Sequence, residues 1–320
     1  MNDQFLKPGE HRDAVYAKHP VVRNAVKIVT GPVREAEEVT RGAILHRDPG
    51  TYFLAEPRVG KTTTIEMIKS VMPQTFPGVP VFDCNAKSHC TRSEKTFFGE
   101  LLYELGQSPA VGSPAAYRRA VALDRLIGDA RTAKSDRIVL LIDEGQSWNE
   151  FEYELLRDLI NDLRKAGVVC TTIIFAHPNL ELHVKRDLLR KGRTDLTGRF
   201  LVSRHTFRGL ANKAELADAF GAYDNPRRHQ FPSGSELCYS QFFRPGAFGQ
   251  GWRLAAEVDI AWSIFAAASK SSERSLVSLG MQWVSGAIRN FLFAIDESVR
   301  LPTAEIWNDS IRAASYNAMY

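Results

Sequence analysis

The sequence predicts an α/β fold, a three-layer sandwich of helices around a parallel sheet, followed by a smaller α-helical lid domain. Three observations predict it. Short β-rich runs alternate with helical stretches over residues 46–210. Ile138–Ile142 is apolar at every position, as a strand covered on both faces must be. From residue 211 onward Ala, Leu and Trp recur at helical spacing, with no convincing strand.

Residues 1–45 read as a polar start followed by a helical segment. Pro20 opens a stretch with Val21, Val22, Ala25, Val26 and Val29 at helix-like spacing. Gly31–Pro32 interrupts it, and Val33–Leu45 reads as a second helix. Thr51–Ala55 is a β-rich run, then a loop, then a helix over Thr62–Val71. Val79–Asp83 is the next strand. Ser93–Leu105 puts Phe97, Phe98, Leu101, Leu102 and Leu105 on one helical face. Ser108–Pro114 breaks that helix, and Ala115–Ala133 is helical again. Phe151–Ala166 reads as a helix, Val168–Ala176 as a buried strand and Phe200–Phe207 as the last strand.

The chain has 320 residues, 44% of them hydrophobic, enough for one large domain or two ordinary ones. Charged residues make up 24%, which excludes a disordered polyelectrolyte. The N-terminus lacks an apolar h-region, and no apolar run approaches the roughly 20 residues that span a bilayer. Cys84, Cys90, Cys170 and Cys238 form no C-x-x-C pair, so neither a zinc site nor a disulfide framework is expected. A cytoplasmic protein without membrane partners fits these features.

The segment Ala55–Thr62 reads AEPRVGKT, a strand leading through a loop into G-K-T at a helix start. That is the arrangement of a phosphate-binding loop. The N–H groups of Pro57–Thr63 (proline excepted) and the helix start would cradle phosphate oxygens. Gly60 lets the backbone approach closely, Lys61 reaches the β/γ-phosphates, and the Thr62 hydroxyl ligates Mg²⁺. On this reading Pro57, Arg58, Val59, Gly60, Lys61, Thr62 and Thr63 bind ATP. Ala55 stands where G-x4-G-K-S/T has its first Gly, so the loop must accept a small Cβ there or bend differently. A second motif ends the apolar strand, in IVLLIDE. Asp143 would hold Mg²⁺ through water, and Glu144 would polarise the attacking water. In such sheets ligands bind at the carboxyl ends of the strands, which places both motifs at one edge.

The segments AEPRVGKTTTIEMI, LLIDEGQSW, IIFAHPNLELHVKRD, TGRF and GQGWRLAAEV together resemble AAA+ ATPases. Within that group they are similar to transposition regulators of the TnsC/TniB type, relatives of the ExeA-like ATPases. The resemblance spans about His19 to about Ala267. It implies that His177 stands at the sensor-1 position, where relatives usually carry Thr, Asn or Ser. It implies that Arg199 is an arginine finger acting on a neighbour's nucleotide, with Arg190 and Arg193 as alternatives. It implies that Arg253 is sensor 2 on the lid. It further implies a ring or helical filament on duplex DNA, with TniQ-type target selectors and TnsA/TnsB-type transposases as partners.

Basic residues cluster over 185–213, and a second set follows the strand VPVFD. In the resembled family the latter segment grips the DNA backbone. That implies phosphate contacts from Lys87, His89, Arg92 and Lys95, with hydrogen bonds from Ser88 and Thr91, and more distantly from Arg118 and Arg119. No aromatic-and-basic interleaving marks base readout, so binding should be sequence-independent and salt-dependent. The aromatic and basic insertion 225–251 suits either an exposed docking loop or a loop buried against the lid. Two other functions stay open: an ExeA-like or replication-initiator ATPase, and a nucleotide-gated scaffold with little hydrolysis.

Overall fold

The computed structural model describes residues 5–270, 278–295 and 303–314. Parts of the expected lid domain, 271–277, 296–302 and 315–320, lie outside the described residues, as do residues 1–4 of the N-terminal segment. The chain divides into two compact units. One holds residues 35–57 and 61–207, and the other holds 1–34, 58–60 and 208–320. Residues 1–34 thus fall in the same unit as 208–320.

The helices and strands run in the order α1 (Glu10–Tyr16), α2 (Gly31–His46), β1 (Gly50–Leu54), α3 (Lys61–Thr75), β2 (Val81–Asn85), α4 (Glu94–Glu104), α5 (Ala115–Thr132), β3 (Arg137–Asp143), α6 (Glu150–Lys165), β4 (Val169–Ala176), α7 (Arg186–Arg190), α8 (Thr194–Phe200), β5 (Ser203–Thr206), then α9 (Lys213–Tyr223), α10 (Tyr239–Phe243), α11 (Pro245–Gly249), α12 (Val258–Lys270), α13 (Met281–Ala294) and α14 (Ala304–Ala313). Two expectations fail at the N-terminus. Pro20–Val29 is turn and extended chain, and the apolar residues there serve tertiary packing: Val21 and Ile28 are buried in the core of the helical unit. Gly31–Pro32 starts α2 instead of interrupting it, because proline's fixed φ suits a first helical turn. Phe200 ends α8, so β5 is shorter than expected.

The five strands are all parallel, in the order β2-β3-β4-β1-β5. β1 and β3 are apolar and buried along nearly their whole length, because helices cover both faces. Gly50 opens β1 at a crowded point: a Cβ there would meet Arg199 O at 2.1 Å and Phe200 Cα at 2.7 Å. Helix α6 is fixed at its start by a capping box, in which Asn149 and Glu152 exchange hydrogen bonds.

The helical unit has its own core. Phe291 stacks on Trp307 at 4.0 Å between ring centroids, and Phe220 covers the other side at 5.4 Å. The buried Glu257 carboxylate accepts hydrogen bonds from the Trp252 and Trp307 indoles and the Thr303 hydroxyl. The insertion 225–251 turns inward here. Phe231, Tyr239, Phe242 and Phe243 enclose the buried His19 ring at 4.6–4.9 Å. Burial, and then the nearby Arg12 charge, push the His19 imidazole down to about 3. Of the two readings of this insertion, the packed loop holds and the exposed aromatic anchor does not, since burying rings stabilises more than exposing them.

Candidate functional site

Local backbone chemistry builds the phosphate loop. Ala55 is buried, and its N–H donates to Ala176 O at 2.8 Å, so it simply extends the β1–β4 ladder. That position needs no left-handed backbone, which is why alanine serves in place of glycine. The special conformations fall later, at Arg58 (φ 66°) and Gly60 (φ 109°). Gly60 is therefore the residue whose glycine is required.

Helix α3 then begins with Lys61, and here the two motifs meet. The Thr62 hydroxyl donates to Asp143 Oδ2 at 2.5 Å. Lys61, buried along its side chain, holds its Nζ 3.4 Å from Glu144 Oε1. Asp143 ends β3, so the pleat of one strand and the first turn of one helix bring together all four residues. Burial raises the Asp143 carboxyl above its ordinary value, opposed by the Thr62 hydrogen bond. Thr62 and Asp143 offer two hard oxygens in contact. Among the described residues no group of three or more His, Cys, Asp or Glu could hold a metal. A pair of oxygens suits Mg²⁺, which keeps water and takes phosphate oxygens for its remaining positions, better than ions that need a full protein cage.

Glu144 adopts a left-handed conformation (φ 55°, ψ 36°), uncommon for a non-glycine residue. Two groups that sequence reasoning missed hold it there. Gln146 donates its side-chain amide to Glu144 Oε2 and accepts from His177 N at 2.8 Å, tying the carboxylate to the end of β4. Gly145 lets this turn lie against the sheet, for a Cβ would meet Ile174 Cγ2 at 2.3 Å, and its carbonyl accepts from Tyr153 Oη at 2.9 Å. Only Gln146's place beside the acidic pair could have signalled it. His177 sits at the same edge, its Nδ1 accepting from Asn179 N at 3.2 Å and its Nε2 3.6 Å from Glu56 Oε2.

The raised Asp143 carboxyl has a stability consequence. A folded-state pKa above the unfolded value means that the ionised form opposes folding, and that this cost is present above the folded pKa and is relieved as pH falls. Asp143→Asn removes the buried charge, while its one oxygen can accept from Glu144 N and its amide can donate to the Thr62 hydroxyl. The nucleotide-free variant should gain about 1 kcal/mol, a rise of ~2–4 °C in Tm, while losing turnover. Differential scanning fluorimetry without nucleotide checks this, and an unchanged or lower Tm contradicts it.

The remaining expected residues are placed as follows. Arg199 lies near the amino ends of β1 and β4, against Gly50, the sheet edge opposite to Lys61 and Asp143. Its alternatives are committed elsewhere: Arg193 pairs with Glu150, Glu154 and Asp195, and Arg190 with Asp187. Arg253 lies over the Phe248 ring at 3.6 Å and donates to Phe248 O and Trp252 O. The basic cluster over 185–213 is a lattice of ion pairs. Lys185 and Arg204 meet Glu181, Lys191 meets Glu150 and Asp187, Arg208 meets Glu215 and Lys213 meets Asp259. Glu150 and Asp259 come from distant sequence and Glu181, Asp187 and Glu215 from nearby, and together they offset much of the charge counted along the chain.

The segment 87–95 follows β2 at the sheet's carboxyl edge, where Ala86 N donates to Asp143 O at 2.9 Å. Lys87, Ser88, Thr91, Arg92 and Lys95 are exposed and His89 is half-buried. Glu100 of α4 faces two of them, 3.2 Å from His89 Nε2 and 3.8 Å from Lys87 Nζ. Arg119 pairs with Asp162, and Arg118 bonds Ser113 and Lys95 O, so neither points free.

A family model described as an AAA domain matches residues 46–183. No curated protein matches the chain. Among solved structures, the chain is similar to the Aeropyrum pernix ORC2 protein in ADPNP–ADP complexes, at 12% identity over 89% of this chain and 67% of that one, TM-score 0.46. It is similar to Drosophila ORC bound to DNA at 14% identity, covering 85% of this chain and 60% of that one, TM-score 0.45. It is similar to a Thermotoga maritima RuvB mutant at 14% identity, covering 97% and 73%, TM-score 0.40. The chain thus spans 60% of the Drosophila protein's length. The residues matched by the AAA model, with the parallel sheet and phosphate loop, give the chain the AAA+ P-loop fold, a nucleotide-binding fold of the ATPase type. No helix among the described residues is long and apolar enough to cross a membrane, and all four cysteines are free.

Proposed function

We propose that this protein is an Mg²⁺-dependent ATPase that assembles on duplex DNA as a ring or filament, a regulator of transposition of the TnsC/TniB type. The observation that carries the enzymatic part is the paired contact at one sheet edge, Thr62–Asp143 at 2.5 Å beside Lys61–Glu144 at 3.4 Å. Nucleotide would lie on Pro57–Thr63, with Thr62 and Asp143 holding Mg²⁺. Glu144 orients the attacking water, His177 stands by as sensor, and Arg253 contacts the nucleotide from the lid. Mg²⁺ neutralises phosphate charge when bound. Arg199 completes a neighbour's site. The γ-phosphate favours assembly, and its loss releases or remodels it. The transposition role, and partners of the TniQ and TnsA/TnsB type in a cytoplasmic setting, rest on the segments named above.

The proposal is tested by electron microscopy of the protein with duplex DNA and a slowly hydrolysed ATP analogue. Rings or filaments around DNA support it, and monomers under these conditions refute the assembly. ATP-dependent, salt-sensitive DNA binding separates it from an ExeA-like or replication-initiator ATPase that lacks such binding.

The DNA contact assigned to Lys87, Ser88, His89, Thr91, Arg92 and Lys95 has a two-sided test. Lys87→Ala with His89→Ala should weaken binding about equally across sequences and lower the log–log salt slope by roughly one to two. Glu100→Gln should do the reverse, because the carboxylate now facing Lys87 and His89 competes with phosphate. Fluorescence anisotropy across a salt series reads both, and unchanged slopes in both variants would remove this segment from the DNA site.

A further inference from the structure

A cavity of about 370 Å³ opens at the amino edge of the sheet, opposite to Lys61 and Asp143. Its floor is apolar, from Ile160, Val169 and Cys170, and its rim carries Arg47, Arg164 and Arg199. The charge on this rim is not balanced from within. Arg164 and Arg199 make no hydrogen bond or ion pair to an acidic group among the described residues. The acid at the rim, Asp195, is already committed to Arg193 and Arg157. Arg47 leans outward on Asp136, both of them exposed.

Holding these cations together is costly for Arg199. The Arg199 guanidinium is held below its ordinary value by burial first, and then by the charges of Arg164 and Arg157. Two unpaired arginines, with Arg47 beside them, line one cavity, and an anion there would offset their charge. The size is that of a small-ligand pocket, and planar guanidinium forks match phosphate oxygens in pairs.

We propose that this cavity binds an oligophosphate, gripped by Arg164 and Arg47 together with Arg199. The phosphates come either from a free phosphorylated ligand or from a nucleotide held in the Lys61 site of a second copy. Only the second source rests on the assembly proposed above.

The test uses the full chain carrying Lys61→Ala, which disables the loop site. Inorganic tripolyphosphate is titrated by calorimetry. For a free ligand, binding persists in this protein, weakens about 10- to 100-fold on adding Arg164→Ala, and is partly kept by Arg164→Lys. For a nucleotide presented by a second copy, the Lys61→Ala protein does not bind tripolyphosphate. Instead Arg164→Ala in the otherwise native chain raises the concentration at which ATP drives self-association, by about 10-fold or more, in analytical ultracentrifugation. If tripolyphosphate does not bind and Arg164→Ala leaves ATP-driven association unchanged, the proposal is overturned, even where native turnover is normal. If the native chain neither hydrolyses ATP nor assembles, the functional reading fails, and the calorimetric arm alone then decides the cavity: saturable binding upholds it and none overturns it.

Discussion

Arg199→Ala is expected to lower ATP turnover by about 10³- to 10⁵-fold while ATP still binds the chain's own Lys61 site. The argument is one of position. Arg199 packs against Gly50, where β1 begins, and the phosphate loop lies beyond Leu54, where it ends. A five-residue strand rises by ~17 Å, further than an arginine side chain extends. Arg199 therefore cannot serve its own nucleotide, and the finger role proposed for it is one exercised on a neighbour's. Arg190 and Arg193 cannot replace it without breaking existing ion pairs. Action in trans has a distinctive readout. Arg199→Ala and Glu144→Gln subunits are each inactive alone, but a mixture contains interfaces with one intact Glu144 facing one intact Arg199. Mixing should restore measurable turnover. Two inactive preparations that stay inactive when mixed, under conditions where they co-assemble, would rule this out.

The parallel sheet was legible because its strands obey local rules. Ile138–Ile142 is apolar throughout, and G-K-T at a helix start has a purely local cause. The failures share a different origin. Val21 and Ile28 look like a helical face but are buried by a core built largely of residues beyond position 210. The basic run over 185–213 looked like a concentrated positive charge, yet Glu150, Glu154, Glu215 and Asp259 neutralise much of it from other elements. Ala55 looked like a defect because the motif was read as a string, and the ladder bond to Ala176 removes the need for glycine. Gln146 and Glu100 act only through tertiary neighbours, so no spacing rule marks them. Sequence shows which groups can do chemistry, whereas their partners decide which are free to do it.

Glu144→Gln is expected to cut turnover by about 10²- to 10⁴-fold and to leave the protein bound to ATP and assembled on DNA. Glu144 sits in a left-handed turn, its carboxylate shared between Lys61 and the Gln146 amide. Glutamine preserves the shape but cannot accept a proton from water, so chemistry fails before geometry does. The substitution also removes the charge opposite the buried Lys61 Nζ. An uncompensated buried ammonium destabilises the nucleotide-free chain and favours an anionic ligand. The variant should therefore show a lower Tm without nucleotide, a larger rise in Tm on adding ATP, and slower release of ATP than the native chain. These shifts separate two mechanisms. In an ATPase, native turnover on DNA is measurable and the variant accumulates in the assembled, ATP-bound form. In a nucleotide-gated scaffold, native turnover on DNA is already negligible and assembly lifetimes are the same in both proteins. Equal lifetimes with negligible native turnover would replace the hydrolytic reading with the scaffold, leaving Lys61, Thr62 and Asp143 as a binding site alone.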